Sequence, residues 1–182
     1  MKNDDLSYDI YSFINQNKND FSSDLIEKSE FFFASKEEGE KMIMLLNKFI
    51  SDHPKSLKAM DAYSTMIDYY KSIQDTLNEV NIYTKMISNN LQNMWILNGY
   101  SWRMSQIEKN LDDALEKAKI AVNLAKSDPI SCAMILDTQA EVLWKLKRYS
   151  EAVDIINRAI ELDPTSDYYT EQKDKFLLHL KN

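Results

Sequence analysis

Two histidines, one cysteine and a few adjacent carboxylates are the side chains in this sequence best suited to chemistry. His53 precedes Pro54 in what reads as a turn, and His179 lies near the carboxyl end. Neither has a cysteine, histidine or aspartate at metal-ligand spacing, so neither is expected to bind metal or act as a general base. Cys132 has no histidine close in sequence to activate it. As the lone cysteine it forms no internal disulfide, and it reads as a small apolar residue at the start of a helix. Asp112-Asp113 and Glu37-Glu38 fall near expected helix starts, where negative charge complements the helix dipole. The two glycines, Gly39 and Gly99, are too few for a phosphate-cradling loop, and no Asp-rich calcium loop is present. The expectation is a non-enzymatic protein with no catalytic residue, no cofactor and no metal. A pocket holding two carboxylates of strongly raised pKa would reverse it.

The elements that position these residues are expected to be helices. Only three prolines, Pro54, Pro129 and Pro164, join the two glycines across 182 residues. A sheet protein of this size needs more of both at its turns. The chain carries 44% apolar and 28% charged residues, an ordinary globular balance for one domain spanning 1–182. A net charge of −7 and a pI near 4.9 disfavour nucleic acid and acidic lipid as partners. No apolar run approaches the roughly 20 residues that span a bilayer, so no membrane association is expected. The polar, acidic start MKNDDLSYDI does not read as a signal peptide. A cytoplasmic location follows, or a periplasmic one if the chain is a fragment of an exported protein.

Helical periodicity recurs at a regular interval. In 133–164, Leu136, Ala140, Leu143 and Leu146 share one face of a first helix. Ala152, Ile156, Ala159 and Ile160 share one face of a second. Lys147–Ser150 forms the polar turn between them, with Ser150 as a cap, and Asp163-Pro164 ends the pair. In 94–129, Leu97, Ser101 and Met104 face Ala114, Ala118 and Ala121, and Asp128-Pro129 closes the pair. In 60–90, Tyr63, Ile67 and Tyr70 face Val80, Tyr83 and Ile87, with Glu79 where an alanine is expected. In 22–54, Ile26 and Phe33 face Met42, Leu46 and Phe49, ending at Pro54. All three prolines would thus take the same place in the repeat. A leading helix over 5–15 and a final capping helix over 166–181 complete the chain.

The Tyr149, Ala152, Ile156, Ala159, Pro164 spacing resembles the second helix of the tetratricopeptide repeat, whose period is about 34 residues. The likeness is clearest over 95–164, where the wording is similar to bacterial members, and weaker over 22–90. It implies a right-handed superhelical stack of antiparallel helix pairs, an α-solenoid, whose concave side is lined by the first helix of each pair. Trp95, Asn98, Trp102, Asp137, Glu141 and Trp144 are the groove candidates carried over by that likeness, with Asp61 and Asp68 joining them if the weaker register holds. Asp137 and Glu141 stand where one branch of the family has basic residues that grip acidic peptide ends. A basic or apolar-basic protein or peptide is therefore the expected partner. The implied function is a non-catalytic protein-interaction scaffold. The alternative is a helical accessory domain of a larger, possibly exported, bacterial protein whose activity lies elsewhere.

Overall fold

A computed structural model describes residues 2–89 and 92–178. His179 and the end of the expected 166–181 helix lie outside the described residues, as does the last residue of the 60–90 segment. Among the described residues the chain is all-α, with ten helices and no strand. The helices gather into two compact units, Met1–Met86 and Ile87–Asn182. The first holds α1 (Lys2–Gln16), a 3-10 turn (Lys18–Asp20), α2 (Ser23–Lys36), α3 (Gly39–Asp52), α4 (Lys58–Ser72) and most of α5 (Thr76–Ser88). The second holds α6 (Met94–Ile107), α7 (Leu111–Leu124), α8 (Pro129–Lys145), α9 (Tyr149–Leu162) and α10 (Asp167–Leu177).

Within each unit the substantial contacts join helices that are neighbours, or next but one, in sequence. In the first they are α1–α2, α2–α3, α3–α4 and α2–α4. In the second they are α6–α7, α7–α8, α6–α8, α8–α9, α9–α10 and α8–α10. This packing is consistent with a helical repeat, in which each pair seals the apolar flank of the next.

The turns inside the helix pairs repeat in detail. The Asp75 amide donates to the Tyr70 carbonyl at 2.9 Å, Lys109 to Met104 at 3.1 Å, and Arg148 to Leu143 at 2.9 Å. In each case the residue before the donor is left-handed: Gln74, Glu108 and Lys147 have φ of 58°, 51° and 61°. This is the Schellman ending, which satisfies the helix's last carbonyls and reverses the chain in three residues. Following each turn, the fourth and eleventh residues of the next helix are buried: Glu79 and Met86, Ala114 and Ala121, Ala152 and Ala159. Met42 and Phe49 take the same places in α3. Ser101, fully buried in α6, shows why a small residue faces them. Its hydroxyl reaches the Leu97 carbonyl of its own helix and the Ala114 carbonyl of α7, both at 2.8 Å.

Two expectations about the turns are corrected. Pro129 does not end a helix as Pro54 and Pro164 do. α7 stops at Leu124, and Pro129 opens α8 four residues before the expected start of that segment. Asp128 caps it, accepting from the Ile130 and Ser131 amides at 3.2 and 3.3 Å. Proline suits this place because the first turn needs no amide donor there. Ser150 is not the cap of α9, which begins at Tyr149, so Ser150 already lies within its first turn.

Candidate functional site

The second unit aligns α6, α8 and α10, the first helix of each pair and the final helix, through the α6–α8 and α8–α10 contacts. Asn93 starts α6 by accepting from the Trp95 and Ile96 amides at 3.0 and 3.3 Å. That cap fixes the phase of α6, so Ile96, Leu97, Tyr100 and Met104 turn inward while Trp95 and Trp102 stay 46% and 41% exposed. In α8, the phase set by Asp128 and Pro129 places Asp137 and Glu141 one turn apart on one face.

A cavity of about 360 Å³ opens among these three helices. Asn98 and Trp102 of α6 form one wall, Met134, Asp137 and Thr138 of α8 the floor, and Tyr168 and Tyr169 of α10 the other wall. Asp137 is only 7% exposed. The Tyr168 hydroxyl donates to its Oδ2 at 3.1 Å, long for such a bond. Its Oδ1 is closed to solvent and has no hydrogen-bond partner, and the same holds for Asn98 Oδ1 across the cavity. Burial pushes the Asp137 carboxyl up to about 6, and the nearby Glu141 adds to this against the opposing pull of Tyr168 and Lys175. Burial and the adjacent carboxylate likewise push the Tyr168 phenol up.

One turn along α8 the surroundings differ. Glu141, 4% exposed, accepts from the Lys175 ammonium of α10 at 2.5 Å. The same ammonium lies 4.3 Å from the centre of the Trp144 ring, and Phe176 packs on that ring at 6.0 Å. Lys145 stands over it at 5.0 Å. Of the six residues singled out from sequence, the structure thus brings Asn98, Trp102 and Asp137 to one cavity. Trp95 lies exposed on α6 outside the cavity lining, and Glu141 and Trp144 lie beneath α10. Met134, Thr138, Tyr168 and Tyr169 complete the cavity and were not singled out as groove residues. The cue for the tyrosines was present, in two adjacent aromatics in the first turn of a helix read only as a cap.

A larger cavity, about 510 Å³, lies in the first unit between α2 and α3, beside Lys18, Glu30, Phe33, Lys48 and Asp52. Its charges answer one another. Glu30 is paired with Lys18 and sits 2.5 Å from His53 Nε2, while Asp52 pairs with Lys48 at 2.5 Å. Burial pushes the Glu30 carboxyl up, but these two partners bring it below the ordinary range. His53 is therefore a fixed partner of α2 carboxylates, with Glu27 at 3.8 Å from Nδ1. Cys132 is buried without a disulfide. No helix among the described residues is long and apolar enough to cross a membrane, and none of their His, Cys, Asp and Glu side chains cluster to hold a metal ion.

Comparison with protein-family models and with curated proteins finds no match.

Proposed function

We propose that this chain is a non-catalytic interaction scaffold of the tetratricopeptide type, which docks a peptide or protein segment on the α6–α8–α10 face of its second unit. Within the first unit α2 pairs with α3 and α4 with α5, and within the second α6 pairs with α7 and α8 with α9, each unit wound by itself in the right-handed sense of that family. The supporting observation is the cavity where Trp102 stands 41% exposed beside a buried carboxylate oxygen that has no partner. Large aromatic side chains left in solvent offer contact area with few torsions to freeze, which favours a binding hot spot. An unpartnered buried acceptor costs stability and gains a partner only when a donor arrives.

The test is selection of peptides from a random display library on the purified chain, followed by titration of the enriched peptides against Trp95→Ala plus Trp102→Ala. A loss of at least tenfold in affinity, with helical circular dichroism retained, is the expected outcome. Peptides that bind both forms equally would remove the docking face from α6.

A further inference from the structure

The α8 face already holds one cation from within the chain. Lys175 places its ammonium on the Glu141 carboxylate at 2.5 Å and on the Trp144 ring at 4.3 Å. One turn earlier the same components recur without the cation. Asp137 is a buried carboxylate, and Trp102 and Tyr168 line its cavity from opposite walls as aromatic surfaces. Among the described residues no lysine or arginine forms an ion pair with Asp137; its one donor is the Tyr168 hydroxyl at 3.1 Å. Asn98 adds a second acceptor oxygen without a partner.

We propose that this cavity is a subsite for a guanidinium group, the side chain of an arginine in the docked segment. A guanidinium offers five donors in one plane and stacks on aromatic faces, so it suits two acceptors and aromatic walls better than a compact ammonium does. The cavity has room for the planar head and part of its alkyl stem, and the net charge of −7 favours a basic partner. Asp137 Oδ1 and Asn98 Oδ1 are both closed to solvent, so each side chain must turn about χ2 to meet the entering group, which replaces the Tyr168 hydroxyl on the carboxylate. This inference rests on the docking face proposed above and names what one part of it recognises.

The probes are N-butylguanidinium, N-butylammonium and the neutral isostere N-butylurea, each titrated into the full chain at pH 7.5. The Trp102 indole N–H resonance is followed by NMR. N-butylguanidinium is expected to shift that resonance saturably and at least fivefold more tightly than N-butylammonium, while N-butylurea leaves it in place. Asp137→Asn should weaken the guanidinium response at least tenfold, and Tyr168→Phe, which removes the competing donor, should strengthen it about threefold. The wild-type series keeps the test decisive if either variant fails to fold. Equal responses to N-butylguanidinium and N-butylurea, or an ammonium bound as tightly as the guanidinium, would overturn the assignment. So would an unaltered response in Asp137→Asn. Library peptides whose binding needs Trp102 but ignores Asp137→Asn would sink this subsite and leave the docking face standing.

Discussion

Two ends of one helix face meet opposite fates. At the Glu141 end, α10 lays Lys175 and Phe176 over the carboxylate and Trp144, so the charge is paired and the face of the ring covered within the chain. At the Asp137 end, α10 contributes tyrosines in place of a cation, and a cavity remains with two acceptor oxygens lacking donors. Both ends pair a carboxylate with a tryptophan, yet one is closed structure and the other a cavity. Residue type alone therefore does not mark a binding position on such a face; what the next helix places over it does. A buried oxygen without a donor costs stability, and that cost is recovered when a donor reaches it.

The tryptophans separate the two ends most sharply. Trp144→Ala removes a ring packed between Phe176 and two ammonium groups. It should cost about 3 kcal/mol in a denaturant melt, at the lower end for a partly buried tryptophan. Trp102→Ala, 41% exposed, should cost less than about 1 kcal/mol. Equal costs would mean that Trp102 is core and the open end is closed.

The charges come next. Lys175→Met keeps the stem but leaves Glu141 buried without a countercharge. Because Lys175 is itself 36% exposed, the loss should be about 2 kcal/mol, between a surface and a fully buried pair. Asp137→Asn should act in the opposite direction. A carboxyl raised to about 6 in the fold, against about 3.9 unfolded, holds its proton more tightly when folded. Its favourable contribution is complete below about pH 4 and is lost as pH rises through about 6. The neutral variant should therefore match wild type near pH 4 and exceed it by roughly 2 kcal/mol at pH 7.5 in paired melts. A variant less stable than wild type at pH 7.5 would show that the carboxylate supports the fold rather than strains it.

The two halves of the chain also differ in how far they could be read from sequence. In the second unit the contact positions carry Ser101, Ala114, Ala121, Ala140, Ala152 and Ala159, all fully buried, and small residues at helical spacing are visible in any sequence. In the first unit the corresponding places hold Met42, Phe49, Ile67, Glu79 and Met86. The turn geometry of α4–α5 is the same, with Gln74 left-handed as Glu108 and Lys147 are, but the side chains give no such pattern. Helix existence was legible throughout because breakers are scarce. Pro129 was misplaced because a proline reads alike after one helix and at the start of the next, and only the Asp128 cap distinguishes them. Asn98, Trp102 and Asp137 were legible as groove residues because they lie on first helices. The neutralisation of Glu141 and the roofing of Trp144 were not, because both depend on Lys175, a residue from another helix 34 positions away from Glu141.

The most direct measurement is the Asp137 carboxyl titration, followed through its side-chain carbon resonance with and without saturating N-butylguanidinium. The groups that act on this carboxyl are Tyr168 and Lys175 of α10 and Glu141 of its own helix, while α6 contributes the uncharged Asn98 and Trp102 to the cavity wall. A cation that binds the ionised form must lower the pKa in proportion to its preference for that form. A midpoint near 6 that falls by about one pH unit when the probe is added is the expected result, equivalent to roughly tenfold tighter binding to the carboxylate. A midpoint that stays where it was at saturating probe would contradict a cation site at Asp137.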